Sequence, residues 1–350
     1  MKKIIAIFLA LSLLLSVSLF GCQKKTKYIG EVNVYNWGEY IDESIFADFE
    51  AATSIKVNYS TFTSNEMMYS NLKTGGASYD VIIPSDYMIS RLIEEDMLEK
   101  LDFANIPNYG LIDEAYKNRE YDPANEYSVP YMWGIIGIIY NTAMIDEEIT
   151  SWGALFDAKY TGEVLMFDNS RDAFGIALKY LGYSLNTTDE AELNEAYELL
   201  LSQKPIKQAY VMDQIFDKLE GGEAAMGPYY VGDYLIMREE NPDLAFAVPE
   251  EGTNWFVDAM CVPKNAANKK NAELFINYMC GTEVSIANMD YIGYASANTD
   301  AVEEYGADME PDEYAVAFAD AETLDRCEVF TNLPQDTLAL YDTLWSKLKS

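Results

Sequence analysis

The sequence predicts an α/β protein with two domains, each built around a mostly parallel β-sheet. The chain has 350 residues, which is long enough to bury two hydrophobic cores. Strand-like and helix-like segments follow one another in the order βαβαβ, and right-handed crossovers turn that order into a parallel sheet. The same alternation starts again near Tyr131. We therefore expect two α/β units in one chain.

The N-terminal segment predicts export and lipid anchoring. Two lysines precede an apolar run, Ile4 to Phe20, which ends at Gly21-Cys22. This pattern is typical of a signal peptide followed by a lipoprotein processing site. We expect residues 1–21 to be removed and a lipid on Cys22 to anchor the protein to the extracytoplasmic face of the cell membrane, with residues 22–30 as a tether. A location in the periplasm is also compatible with this segment. The alternative is an uncleaved transmembrane anchor, since the run is close to spanning length.

The first unit is predicted to contain three strands and two helices. Residues 31–35 alternate apolar and polar side chains as a half-buried strand does, whereas the apolar residues of 41–53 fall on one face of a helix. The remaining elements are a strand over 55–59, a helix over 65–73 and a strand over 80–83. Ligands of parallel sheets bind beyond the carboxyl ends of the strands, so the site is expected at residues 36–38 and 84–87.

The second unit repeats this organisation. The apolar run 133–140 predicts a buried strand, and strand 163–167 ends where a helix should start at Asp168-Asn169-Ser170. Thr187 followed by Glu190 predicts a capping box for a helix that continues to Leu201. Two further strands are predicted over residues 246–248 and 257–262.

The composition excludes several classes of function. The chain has 24 basic and 58 acidic residues and a formal net charge of −34, which argues against a nucleic-acid partner. It has no histidine, and therefore lacks the commonest general base, the Ser-His triad and the favoured ligand of transition metals. We predict no catalytic residue, no metal and no cofactor. Without histidine, ligand affinity is expected to change little between about pH 5.5 and 8.

The cysteines after the processing site carry no predicted function. Cys261, Cys280 and Cys327 have no CxxC spacing, and packing is the simplest role for each of them. One disulfide among the three is compatible with export, and the sequence leaves that pairing open.

Six strings, in order along the chain, carry a resemblance to a known family. They are residues 34–40 (VYNWGEY), 60–69 (STFTSNEMMY), 79–85 (YDVIIPS), 127–134 (YSVPYMWG), 151–152 (SW) and 181–184 (LGYS). At these spacings the chain resembles the spermidine/putrescine-binding proteins of ABC transporters, from about residue 31 to the C-terminus.

The resemblance implies a periplasmic-binding-protein-like fold of class II, with two lobes joined by hinge crossovers that close on a ligand. Lobe 1 would comprise residues 31–136 and 260–298, and lobe 2 residues 137–259 and 299–350. It also implies a monomer that binds putrescine or spermidine and delivers it to the membrane permease of an ABC importer.

The resemblance further places the ligand-binding residues one by one. The predicted set is Trp37, Gly38, Tyr40, Ser85, Tyr87, Asn169, Asp172, Tyr230, Trp255, Phe256, Asp258 and Tyr294. Some positions differ from the family pattern: Gly38 replaces a hydroxyl residue, Asn169 replaces an aspartate of spermidine binders, and Tyr230 replaces a tryptophan. Asp168 and Asp233 are expected to be solvated acids outside the site.

Such a set suits a polyamine, which is an alkyl chain with ammonium ends. Aromatic faces bury methylenes and attract cations with about 0.5–2 kcal/mol per contact. Each desolvated ammonium needs a carboxylate, because an unpaired buried charge is very costly. Asn169 supplies no charge, which favours putrescine over spermidine.

Three other classes of function compete with this interpretation. A binder of a sugar, an amino acid or thiamine would need donors for hydroxyls or for a carboxylate, and Arg171 is the arginine that could match a pocket position and clamp an anion. Tyr229-Tyr230 resembles the adjacent tyrosines of ferric-ion-binding proteins, whose anionic oxygens suit Fe(III). Paired carboxylates such as Asp168 and Asp172 could carry acid/base chemistry in an enzyme, but no nucleophile or cofactor motif accompanies them.

Overall fold

The computed structural model describes residues 28–75 and 78–350. The predicted signal peptide, Cys22 and most of the predicted tether lie outside the described residues. Strand β1 begins at Gly30, the last residue assigned to the tether. Among the helices of the described ranges, none is long and apolar enough to cross a membrane.

The first half of the chain alternates strands and helices as predicted. Its elements are β1 (Gly30–Trp37), α1 (Ile45–Thr53), β2 (Ile55–Phe62), α2 (Asn65–Thr74), β3 (Val81–Ile82), α3 (Asp86–Glu94), three short 3₁₀ helices (Phe103–Asn105, Pro107–Leu111, Glu114–Tyr116) and β4 (Ser128–Asn141). Helix α1 begins four residues later than predicted, because Asp42 accepts hydrogen bonds from the Ser44 amide and hydroxyl and forms a turn there.

The second half contains the remaining elements. They are 3₁₀ helices Trp152–Phe156 and Ala158–Tyr160, then β5 (Val164–Phe167), α4 (Ser170–Tyr180), α5 (Glu190–Gln203), β6 (Lys207–Val211), α6 (Ile215–Glu220), β7 (Met226–Tyr230), α7 (Val231–Glu240), β8 (Leu244–Ala247), β9 (Trp255–Cys261), α8 (Lys269–Met279), α9 (Thr282–Ile292), β10 (Ala295–Ser296), α10 (Thr299–Gly306), α11 (Pro311–Ala317), α12 (Ala321–Leu324) and α13 (Gln335–Lys349).

The capping box predicted for α5 is wrong. Asp189 caps this helix, since its carboxylate accepts a hydrogen bond from the Ala191 amide. The Thr187 hydroxyl instead donates to the Glu192 carboxylate. An aspartate next to the first helical residue is an N-cap as good as threonine or better, and it therefore displaces Thr187 from that role.

Two long strands connect the sheets of the two lobes. The strand order is β2-β1-β3-β9-β4-β7-β5-β6, with β8 and β10 also paired to β4. β1 is parallel to β2 and β3, and β5 is parallel to β6 and β7, as the βαβ order predicts. β4 runs antiparallel to β9 over residues 128–135 and then to β7 and β8 over residues 136–141. β4 and β9 are therefore the crossing segments of the two-lobed α/β fold.

Separate hydrophobic cores lie on either side of these crossing strands. The first lobe is formed by β1–β3, α1–α3 and α8–α10 with β9, and its clusters include Phe49 and Phe275. The second lobe is formed by β5–β8, α4–α7 and α13, and its cluster includes Trp152 and Phe174. Val257, Ala259 and Ala301 pack in the first lobe, although the predicted boundaries place all three in lobe 2, so we propose that the whole of β9 and α10 belong to the first lobe.

Candidate ligand-binding cleft

A cavity of about 510 Å³ lies between the two lobes, beside the crossing strand β9. The ends of β1 and β3 and the start of α3 form its first-lobe wall, as the carboxyl ends of parallel strands are expected to do. The second-lobe wall is formed by the start of α4 and by the junction of β7 with α7. The predicted residues that line the cavity are Trp37, Gly38, Tyr40, Ser85, Tyr87, Asn169, Asp172, Tyr230, Phe256, Asp258 and Tyr294.

Trp255 is the predicted residue that does not line the cavity. Successive side chains of a strand point to opposite faces, so Phe256 and Asp258 face the cavity and Trp255 does not. The Trp255 ring packs against the first-lobe core, with the Arg119 guanidinium 4.5 Å from its centre. Trp255 therefore lies one residue before Phe256, the aromatic residue of this strand that faces the cavity.

Asp258 lies at the hinge-side wall of the cavity. It is 4% exposed, and its Oδ1 atom has no hydrogen-bond partner among the described residues. The buried Tyr40 hydroxyl likewise has no partner there. Burial raises the pKa of Asp258 to about 6, although the nearby hydroxyls of Ser85 and Tyr40 partly oppose this. A cation at this position would supply the missing partner for the carboxylate.

Asp172 lies on the opposite wall, in the first turn of α4. Its Oδ2 atom accepts hydrogen bonds from Asn169 Nδ2 (2.7 Å) and the Tyr230 hydroxyl (2.9 Å). Burial raises its pKa to about 6, and the Tyr230 hydrogen bond and the Arg171 charge hold it from rising further. Asn169 also caps α4 by accepting from the Arg171 amide. Asn169 thus orients Asp172 with its amide group.

Aromatic rings cover the space between the two acids. Tyr40 meets Tyr294 edge to face with ring centres 5.1 Å apart, and Tyr230 meets Phe256 in the same way at 5.6 Å. Trp37 packs at 4.6 Å from Phe62 and is half-buried. Such rings offer apolar surface to methylenes and electron-rich faces to cations.

Arg171 is the basic residue among those lining the cavity, and it does not form an anion clamp. Its guanidinium lies 5.1 Å from the Tyr87 ring centre and 4.4 Å from that of Phe330. It also donates to the Thr331 carbonyl at 3.4 Å. The acids lining the same cavity are Glu39, Asp86, Asp172, Asp213, Asp233 and Asp258. The cavity is therefore acidic and aromatic, a combination that suits an organic cation.

Four of these acids, Glu39, Asp86, Asp213 and Asp233, were not predicted to belong to the site. Asp233 was expected to be solvated, but it is half-buried in the cavity wall and accepts a hydrogen bond from the Tyr294 hydroxyl at 2.6 Å. Asp86 is 1% exposed. Asp86 and Asp233 each occupy the first turn of a helix that follows a strand. That position in the sequence could have indicated that they lie at the site, because ligands bind beyond the carboxyl ends of strands. Asp168 does lie outside the cavity, as expected, and pairs with Lys349.

The buried acids change the predicted pH dependence. Burial raises the pKa of Asp233 to about 7 and that of Asp86 to about 8, in addition to the two pKa values of about 6. These groups titrate between pH 5.5 and 8, where ordinary carboxylates do not. The expectation of a flat pH response is therefore replaced by one in which cation binding weakens at low pH.

The adjacent tyrosines do not resemble a ferric site in their protonation. The Tyr230 hydroxyl donates a hydrogen bond to Asp172, and the Tyr229 hydroxyl donates one to Asp213 at 3.3 Å. Burial raises the pKa of both phenols well above their usual range, which opposes the phenolate form that Fe(III) requires. No group of three acidic or cysteine side chains able to hold a metal ion occurs in residues 28–75 and 78–350.

The cysteines of the described ranges are unpaired. Cys261 and Cys280 are buried in the first-lobe cores, and Cys327 is partly buried. Burial raises the pKa of all three thiols, which disfavours the reactive thiolate.

A cavity between two α/β lobes, lined from both sides, has the architecture of the ligand cleft of solute-binding proteins. Residues 44–316 match the family of bacterial extracellular solute-binding proteins. The chain belongs to this family.

Known relatives extend over nearly the whole chain. The spermidine/putrescine-binding periplasmic protein of Salmonella typhimurium is 35% identical over 318 residues, which cover 90% of each chain. A putative spermidine/putrescine ABC transporter from Listeria monocytogenes superposes with a TM-score of 0.86 and 38% identity over 91% of this chain and 98% of that one. The PotD substrate-binding protein of Streptococcus pneumoniae gives a TM-score of 0.78 and 35% identity, with the same coverage.

Proposed function

We propose that this protein binds a linear polyamine, putrescine or spermidine, in the cleft between its lobes and delivers it to the permease of an ABC importer. The observation that carries the proposal is the pair of buried acids on opposite walls, Asp258 and Asp172, with aromatic rings between them. Asp258 has a carboxylate oxygen without a partner in the described residues, and an ammonium would supply one. The names of the relatives at 35% and 38% identity agree with this ligand class.

The charge of the cleft separates this ligand from other classes. An amino acid, a sugar acid or a phosphate would place an anion in a cavity that is lined by six acids and one basic residue, Arg171. A neutral sugar would leave the oxygen of Asp258 without a charged partner. A dication neutralises one acid on each wall.

The length of the polyamine is a finer part of the proposal. The side chain of Asn169 is neutral. Its NH₂ group donates a hydrogen bond to Asp172 and its oxygen caps α4, so it offers no charge to a ligand. We therefore expect putrescine to bind at least as tightly as spermidine. The relative from Escherichia coli named putrescine-binding periplasmic protein PotF, 28% identical, is an example of a diamine binder with a similar sequence.

The location of the protein also belongs to the proposal. The family is extracellular, and the apolar run ending at Gly21-Cys22 supports export followed by lipidation of Cys22. A lipid anchor would hold the protein beside the permease to which it delivers its ligand.

Tryptophan fluorescence tests the ligand class directly, because Trp37 lines the cavity. We expect putrescine and spermidine to change the emission with one ligand per protein. Glutamate, glucose and ferric citrate should neither change it nor compete. No response to any polyamine at about millimolar concentration, where even a weak site of about −4 kcal/mol is half filled, would contradict the proposal.

A further inference from the structure

Asp86 is a buried carboxyl in the cavity wall, behind the hinge-side acid Asp258. It is the first residue of α3 and is 1% exposed. Its Oδ1 atom accepts a hydrogen bond from the Tyr87 amide at 2.7 Å, and its Oδ2 atom accepts one from the Val257 amide of β9 at 3.3 Å. The side chain therefore connects the start of α3 to the strand that carries Asp258.

The backbone holds these two acids close together. Ser85 and Asp258 form an antiparallel bridge, and the Ala259 amide donates to the Pro84 carbonyl at 3.1 Å. Asp86 follows Ser85 and Val257 precedes Asp258, so the antiparallel bridge places Asp86 next to Val257 and Asp258. Two carboxylates in one buried place cannot both ionise at low cost unless a cation joins them.

Three other titratable groups face Asp86 from the surrounding elements. Arg171 of α4 favours the ionised carboxylate, but its guanidinium lies against the Tyr87 and Phe330 rings. The Tyr121 hydroxyl, from the segment before β4, is buried and has no partner among the described residues. Asp258 itself disfavours the ionised form. No ion pair joins any described cation to Asp86.

On the basis of the proposed function, we propose that Asp86 is a second carboxyl of the Asp258 cation site and loses its proton to solvent when an ammonium binds there. The exchange is balanced: the ligand brings one positive charge, and the proton that Asp86 held passes to the buffer. Binding of a polyamine is then linked to proton release at this acid, in addition to direct pairing with Asp258.

The pKa values agree with this exchange. Burial raises the pKa of Asp86 to about 8; the Asp258 charge adds to the rise, and the Tyr87 and Val257 amides oppose it. The pKa values of Asp172 and Asp258 are about 6 and that of Asp233 is about 7. At pH 8 these three acids are mostly ionised already, whereas Asp86 is about half protonated.

Proton release at pH 8 therefore isolates Asp86. The experiment is a calorimetric titration of the protein with putrescine in two buffers of different ionisation enthalpy, whose difference gives the protons released. We expect release of about half a proton by the wild type. The ligand amines, with pKa values close to that of lysine at about 10.4, contribute little at pH 8.

Two variants make the test specific. Asp86→Asn should still bind putrescine but release almost no proton, and its affinity should stay constant between about pH 7.5 and 8.5, where that of the wild type rises. Asp168→Asn is the matched control, since Asp168 lies outside the cavity, and it should release as much as the wild type.

The outcomes separate this inference from the function on which it rests. Binding without proton release by the wild type would overturn the role of Asp86 and leave polyamine binding intact. If Asp86→Asn releases as many protons as the wild type, the role of Asp86 would likewise be overturned and polyamine binding would stand. Absence of any binding would overturn both. If Asp86→Asn does not fold, the wild-type release and its pH profile still decide.

Discussion

The two walls of the cleft carry equivalent acids in different surroundings. Asp258 and Asp172 are both buried, and burial raises the pKa of each to about 6. Asp172 already accepts two hydrogen bonds on one oxygen, from Asn169 and Tyr230. The hydroxyls of Ser85 and Tyr40 lie near Asp258, but its Oδ1 atom forms no hydrogen bond with the described residues. Equal burial therefore does not mean equal dependence on the ligand, since the acid whose oxygen forms no hydrogen bond needs the cation more.

The largest expected effect is at Asp258, whose Oδ1 atom forms no hydrogen bond with the described residues. Asp258→Asn should weaken putrescine binding by about 2–5 kcal/mol, more than tenfold, because the ammonium is left desolvated without a charge partner. Asp172→Asn should cost less, because the Asn169 and Tyr230 donors stabilise the replaced group and remain on that wall. Calorimetric titration of both variants measures the difference. A larger loss at Asp172 would reverse the comparison.

A pH titration should sharpen the comparison with a somewhat smaller effect. Burial raises the free-protein pKa of Asp172 and Asp258 to about 6 and that of Asp233 to about 7. A bound ammonium favours ionised carboxylates, so affinity should fall as the pH drops through these pKa values, and above them Asp86, with its pKa of about 8, should change it further. We expect a decrease of about tenfold or more from pH 8 to pH 5.5.

The pH effect has a clear origin in these acids, because the chain contains no histidine. Circular dichroism at pH 5.5 serves as the control for unfolding. A constant affinity over this range in folded protein would mean that the acids are hydrated and ionised in the conformation that first meets the ligand.

Sequence patterns predicted the elements better than they predicted side-chain surroundings. Strands with clear alternation or continuous apolar runs, such as residues 80–83 and 163–167, lie within one or two residues of β3 and β5. Boundaries fixed by a local hydrogen bond were missed, at Asp42 before α1 and at Asp189 before α5. Several polar residues compete for such caps, and the sequence does not rank them.

The site shows the same division. The family resemblance placed Tyr40 and Asp258 in the cavity wall, but it also placed Trp255 there, because the face of β9 depends on a register of one residue. Asp86 and Asp233 were missed for another reason. An acid in the first turn of a helix has a sufficient local explanation in the helix dipole, and only packing between the lobes reveals that it is buried.

Among the buried and half-buried acids of the cavity, the smallest effect is expected at Asp233. It is half-buried and accepts the Tyr294 hydrogen bond, so an asparagine there keeps a hydrogen-bond partner for Tyr294 and removes one charge. Asp233→Asn should lower putrescine affinity several-fold, by about 1 kcal/mol, which lies between the exposed Asp168→Asn and the buried Asp258→Asn. An Asp233→Asn loss equal to that of Asp258→Asn would show that the second-lobe wall has the stronger cation site.

The central claim is that each wall of the cleft supplies a carboxylate for one end of a linear dication. A calorimetric comparison of putrescine with butylamine, which has the same carbon chain and a single ammonium, tests it most directly. We expect putrescine to bind one to one and butylamine to bind more than about tenfold more weakly, because one buried carboxylate stays unpaired. Equal affinities for the two amines would contradict it.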